Sequence, residues 1–208
     1  MPDPQVEAPP GMVRVPAGPF LFGRAKEEAN LGEFWIDATP VTNAQYLEFL
    51  NQHHRASPPH WPAKGPRDED LALPVVNVSY AEAQAYAQAL GKELPTPAQY
   101  EKAARGTDGR KYPWGEDLLG RVCNTRDAGI GELTDVERFP TGASPYGCRD
   151  MAGNVQCWTR AIDPETGEGI VKGTSYRDYV GAVYFQDALD RSRRYDTVGF
   201  RCVWKPAR

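Results

Sequence analysis

Three groups of residues in this 208-residue chain have types that could do chemistry or carry recognition. They are four cysteines (Cys123, Cys148, Cys157, Cys202), three histidines (His53, His54, His60) and a stretch dense in Tyr, Arg and Asp at 176–197. A thiol works through its thiolate, helped by a paired cysteine, a base or a metal. No Cys-x-x-Cys pair occurs, which removes zinc-ribbon and thioredoxin-like readings. The even count permits three disulfide pairings, and the four are read here as buried free thiols. The histidines share one polar, proline-bearing stretch and are read as solvated loop residues, not metal ligands. No Ser/His/Asp triad and no phosphate-cradling glycine loop can be assembled, so no catalytic residue, metal ligand or cofactor is assigned.

The 176–197 stretch reads YRDYVGAVYFQDALDRSRRYDT, with four Asp, four Arg and five aromatic residues. Tyr and Arg concentrate where binding energy concentrates, because each offers large area and a polar handle. Arg177, Asp178, Tyr179, Tyr184, Phe185, Gln186, Asp187, Asp190, Ser192, Arg193, Tyr195 and Asp196 are therefore assigned as ligand-binding. They lack the period of a buried helix or strand, and a core does not accommodate unpaired charges, so they are expected on one solvent-facing surface. Tyr176 and Arg194 are set aside as structural.

Short elements must hold this stretch. Three helices are marked by capping boxes, a Ser or Thr followed three residues later by Glu or Gln. Thr42 with Gln45 opens the first, whose buried face is Tyr46, Phe49 and Leu50. Ser79 with Glu82 opens the second, with Tyr80, Ala83, Tyr86 and Leu90 inward and Gly91 ending it. Thr96 with Gln99 and Pro97 opens the third, which ends at Gly106. Alternating apolar residues at 11–23 suit a strand or hairpin. Val198, Phe200, Cys202 and Trp204 read as one side of a closing strand. Residues 1–10 form a flexible proline-rich lead-in, and 51–73 an exposed insertion. Nineteen prolines and twenty glycines demand many turns, giving one coil-rich α+β domain over 11–208. The net charge of −4 argues against nucleic-acid binding. No apolar run is long enough to span a bilayer, and the N-terminus lacks a signal-peptide pattern, so a cytoplasmic or virion- or surface-assembled location is expected. The partner expected is a protein or surface ligand, with no membrane insertion.

Seven segments in order resemble the formylglycine-generating enzyme (sulfatase-modifying factor) family: MVRVPAGPFLFG, PVTNAQYLEFL, PVVNVSYAEAQAYA, LPTPAQYEKAARG, YPWG, YGCRDMAGNVQCWT and VGFRC, spanning roughly residues 11–203. The resemblance implies a C-type-lectin-like fold with few helices and a small antiparallel sheet near the C-terminus. It gives Trp35, Trp114 and Trp158 roles as packing anchors, Asn154 a turn role, and Arg201 a role tying loops together. It also implies that an oxidising member carries a cysteine pair between its Gly-Gly-Ser turn and Gly-Phe-Arg; here 176–197 has no cysteine. The family's calcium-binding Glu position is occupied by Cys157, which removes a hard oxygen ligand. Asn124 and Asp127 resemble part of the family's other calcium site, but the loop here is shorter and calcium is not expected there.

Apart from Gln186, every residue of the window can arise from an asparagine codon by changing its two adenines. This bias resembles the variable region of proteins diversified by diversity-generating retroelements, some of them phage proteins. The sequence thus favours a non-catalytic ligand-binding protein displaying a variable surface; the alternative is a divergent formylglycine-generating oxidase or an accessory domain of one.

Overall fold

The computed structural model describes residues 8–118 and 120–206. The lead-in expected over 1–10 falls outside these residues except for its last three. The three helices form where the caps place them: α1 (Asn43–His53), α2 (Tyr80–Ala89) and α3 (Pro97–Arg105). Each has a complete capping box, in which the cap side chain accepts from the N3 backbone N–H while the N3 side chain accepts from the cap's own N–H. Two otherwise unpaired donors are thereby satisfied at every helix start. The inward faces of α1 and α2 are as expected except for Leu90, which caps α2 and is 42% exposed.

Among the described residues, nine strands make three sheets. β1 (Met12–Val15), β4 (Phe34–Asp37) and β9 (Val203–Trp204) form one, in the order β1-β4-β9. β2 (Gly18–Phe22) and β3 (Glu27–Leu31) form a separate ribbon. Residues 11–23 thus hold two strands that belong to different sheets, not a hairpin. β5 (Gln156–Ile162), β6 (Gly169–Lys172), β7 (Gln186–Leu189) and β8 (Val198–Phe200) form the third, in the order β7-β6-β5-β8. This sheet is mixed and not antiparallel throughout, because β8 runs parallel to β5. The expected closing strand over 198–204 is two strands in two sheets. The break falls at Arg201 and Cys202, where the Arg201 guanidinium donates to the carbonyls of Asp37, Ala38, Arg149 and Asp150. That loop-tying role agrees with the expectation from sequence.

β5 sits in the middle of the core. Successive strand residues point to opposite faces, so Cys157 joins one apolar cluster and Trp158 the other. The first cluster packs α1 and α2 against Trp158, Val171, Val198 and Phe200. The second packs Tyr100, Ala103 and Ala104 of α3 with Phe34, Ile36 and Val155. Of the expected tryptophan anchors only Trp158 is fully buried; Trp35 and Trp114 are half-buried, Trp35 packing edge-to-face on Trp204 at 5.5 Å.

α3 is also fastened by buried charge. The Glu101 carboxylate accepts from Lys172 Nζ at 2.9 Å and from the Gly23 N–H at 2.6 Å and is ion-paired with Arg105 at 3.0 Å, the Glu101, Lys172 and Arg105 side chains all being buried. Arg105 additionally donates to the carbonyls of Leu21, Gly23 and Arg110. The helix, the β2–β3 ribbon and β6 therefore share one charged junction. Among the described residues, no helix is long and apolar enough to cross a membrane.

Candidate functional site

The Tyr/Arg/Asp stretch begins where β6 ends and finishes where β8 begins, and the scaffold grips it at intervals. The Asp178 carboxylate accepts from the Ser175 N–H and hydroxyl at 2.8 and 2.7 Å, closing the turn after Gly173. The Arg126 N–H donates to the Asp178 carbonyl, the Val180 N–H to Asp127 and the Val183 N–H to the Lys111 carbonyl. The chain then pairs with β6 as the edge strand β7. Arg194 forms a two-point contact with Glu82, the same carboxylate that caps α2. Burial disfavours the charged form of Glu82, but the Arg194 and Ser79 bonds outweigh it and hold the carboxyl below its usual range. An Arg177–Asp196 ion pair joins the two ends of the window.

None of the twelve assigned residues is buried. Tyr179 is 64% and Phe185 40% exposed, and Arg177, Gln186, Asp187, Asp190, Ser192, Arg193 and Asp196 are also exposed. Three of the twelve are nevertheless committed to the scaffold. Asp178 closes the turn, Tyr184 lies over the buried Arg105 guanidinium, and Tyr195 packs edge-on against Trp158 at 6.2 Å. Tyr176 is buried and Arg194 is ion-paired, as their structural reading requires.

The 51–73 segment departs from the sequence expectation. Pro58, Trp61 and Gly65 are buried, and Trp61 packs edge-on against Tyr46 at 6.2 Å. This segment and the window enclose a cleft of about 580 Å³, walled by Trp61, His60, Arg67 and Asp70 on one side and by Tyr176 and Asp196 on the other. Two of its lining residues hold buried polar atoms without partners, Trp61 Nε1 and Asn43 Oδ1. Burial lowers the His60 pKa, while Asp196 and Asp70 pull it upward. Sequence reasoning missed this wall; the signal it overlooked was a lone Trp amid polar residues, a side chain that rarely stays solvated.

All four cysteines are free and buried. Burial raises the Cys157 thiol and pushes Cys123 up to about 11, so neither offers a thiolate near neutrality. In the loop that leads into β5, just before Cys157, side chains bond one another. Asn154 (φ 63°) spans Thr134 with both its amide atoms and bonds Asn124 at 3.1 Å and Asp150 at 2.8 Å. This is the turn-making role expected of it. Among the described residues no group of three His, Cys, Asp or Glu side chains is placed to hold a metal. Because Cys157 stands where the family's calcium ligand is a Glu, the melting temperature should not move when a chelator is added; a large drop reversed by calcium would contradict this.

Burial pushes the Asp150 carboxyl up to about 7, against the Asn154 bond and the Arg201 charge. The folded state then keeps a proton that the unfolded chain releases from its ordinary value of 3.8 upward. Stability is greatest below that value and falls as pH rises through about 7, by at most about 1.4 kcal/mol per pH unit. Asp150→Asn, which keeps the acceptor and tolerates the left-handed backbone there, should flatten the slope in denaturant titrations at several pH values. An unchanged slope would show that Asp150 is not its source.

Comparison with known proteins places the chain in a family. The mouse protein "Inactive C-alpha-formylglycine-generating enzyme 2" is 28% identical, over 93% of this chain and 85% of its own length. The Bos taurus "Formylglycine-generating enzyme" is 27% identical, over 94% of this chain and 75% of its own. The solved structure of Treponema denticola variable protein 1 superposes with a TM-score of 0.75 at 18% identity, covering 94% of this chain and 95% of that one; likeness at that identity shows a shared fold. A model of the sulfatase-modifying factor enzyme 1-like domain matches residues 1–206. With that match covering nearly the whole sequence and the coil-rich α+β architecture in agreement, this chain belongs to the sulfatase-modifying factor enzyme 1-like domain family.

Proposed function

We propose that this chain is a non-catalytic binding protein whose recognition surface is the 177–197 segment, diversified in the manner of a retroelement variable protein. The observation that carries the reading is the composition of that segment. It is rich in Tyr, Arg and Asp, lacks Lys, Glu, Met and Trp, and except for Gln186 is reachable from asparagine codons by changes at adenines. The exposure of nine of the twelve assigned residues supports it, because exposed positions tolerate substitution within about 0.5 kcal/mol. Against catalysis, the segment contains no cysteine, and the chain's four thiols are all buried. Thiol chemistry needs an accessible thiolate. The relatives include both an inactive and an active formylglycine-generating protein, so kinship alone does not choose.

Two measurements test the reading. A cysteine-bearing sulfatase-motif peptide should show no mass shift to formylglycine with this protein, with or without copper; turnover above a protein-free control would overturn it. Neighbouring DNA should contain a reverse transcriptase gene and a near-copy of codons 176–202 that differs mainly at adenines. A genome with neither would remove the diversification half of the proposal.

A further inference from the structure

Tyr46 of α1 is 2% exposed, and its hydroxyl has no hydrogen-bond partner among the described residues. Unlike Trp61 Nε1 and Asn43 Oδ1, which are sealed from solvent, it opens into a pocket of about 240 Å³ lined also by Leu50, Arg55, Ala56 and Glu82. A buried polar group normally has a partner, so this one is a vacancy for a ligand atom. The end of α1 builds one wall. His54 takes the left-handed conformation and the Arg55 N–H donates to the Leu50 carbonyl at 3.2 Å, which turns Arg55 and Ala56 back beside Leu50. The Arg55 guanidinium lies over the buried Phe49 ring, 5.9 Å from its centre, where the ring quadrupole holds a cation. Glu82, in the first turn of α2, supplies the facing wall.

Hydrogen-bonding capacity in this pocket is one-sided. Both Glu82 oxygens are engaged, Oε1 by Arg194 and Oε2 by Arg194 and by the Ser79 N–H and hydroxyl. Arg55 makes no ion pair among the described residues. Burial raises the Tyr46 pKa and Glu82 adds to the rise, against the pull of Arg194 and Arg55, so the hydroxyl keeps its proton near neutrality and can donate. Two donors are left over, one of them cationic, while the carboxylate beside them is already satisfied. We infer that this pocket takes a carboxylate group on a short carbon chain, which accepts from the Tyr46 hydroxyl and the Arg55 guanidinium and lays its carbon against Leu50 and Ala56. One negative charge matches the one unpaired cation, whereas a phosphate, with up to two charges, would meet repulsion from Glu82. None of the lining residues belongs to 177–197, so this site goes beyond the recognition reading and does not depend on it.

The test titrates the full chain with sodium butyrate, its neutral isostere butyramide and inorganic phosphate, followed by amide chemical shifts. Butyrate should shift the signals around Tyr46, Arg55 and Glu82, butyramide should not, and phosphate should bind about fivefold more weakly than butyrate. Tyr46→Phe should weaken the acid about tenfold, the scale of a charge-assisted hydrogen bond. It should keep the parent melting temperature, because the hydroxyl serves no bond inside the protein. Arg55→Gln should weaken binding about fivefold, and binding should fade as salt rises. Lys205→Ala, beyond β9, should change nothing. Two further probes, Ac-Ala-Ala-Leu-OH and Ac-Ala-Ala-Leu-NH2, separate the sources of the carboxylate. Binding of the peptide acid but not its amide assigns the site to the chain end of a partner, and binding of butyrate alone assigns it to a free organic acid; either result supports the inference. Binding of neither acid, equal binding of an acid and its amide, or phosphate binding as tightly as butyrate would each overturn it. So would acid binding untouched by Tyr46→Phe, or a melting temperature of that variant well below the parent's.

Discussion

Replacing Glu101 by glutamine is expected to remove about 3–5 kcal/mol of stability, the usual cost of stripping one partner from a buried ion pair. Among the described residues its carboxylate is the one anion paired with Lys172 and Arg105, both buried. Glutamine keeps an oxygen for the Gly23 N–H but leaves two cations uncompensated. Lys172 can escape by losing its proton, since burial already lowers its pKa and Glu101 is what opposes that shift. In the variant its folded pKa drops further below the unfolded value of 10.5. The unfolded chain then binds the extra proton across that interval, so the variant's stability rises with pH there. Urea titrations at several pH values should show a loss that shrinks as the medium becomes alkaline. A pH-independent loss, or one below about 1 kcal/mol, would mean that the junction is ordinary packing. Replacing Lys172 by methionine should cost less, because Glu101 keeps Arg105 and the apolar chain fills the same space.

Trp158→Ala should cost a comparable amount, about 3–5 kcal/mol, the range for a large aromatic removed from a core. The ring is fully buried, lies edge-on to Tyr80 and Tyr195, and donates its N–H to the Val78 carbonyl at 3.1 Å. Truncation leaves a cavity and an unpaired buried carbonyl together. Recovery by collapse is limited because Gly169 already packs so closely that a β-carbon there would lie 2.8 Å from the ring. Within the window the same measurement should separate the residues. Tyr195→Ala removes a Trp158 contact and should cost about 1–2 kcal/mol, the lower range for lost aromatic packing, whereas Tyr179→Ala should stay within about 0.5 kcal/mol. If Tyr179→Ala destabilised the fold as much as Tyr195→Ala, the exposed face would be part of the core's support and not a free surface.

The sequence by itself determined where the three helices start, because a capping box is completed within four positions and needs no distant partner; α1 runs on to His53, into the stretch read as an insertion. It also marked the family segments, the buried thiols and the unburied character of the twelve residues assigned in 177–197, all of which follow from residue type. Strand partnership was not determined locally. Whether 198–204 is one strand or two depends on Arg201 finding four carbonyls from segments more than fifty residues away. The 51–73 segment looked solvated because its residues are polar on average, yet Trp61 needed an apolar neighbour and found Tyr46. Asp178 and Tyr195 looked like ligand contacts because Asp and Tyr serve both purposes; only the placement of Ser175 and Trp158 turned them inward. The cleft beside Tyr176 exists only in three dimensions. Its residues are scattered along the chain, and the burial of Trp61 against Tyr46 brings the 51–73 segment up to face Tyr176 and Asp196.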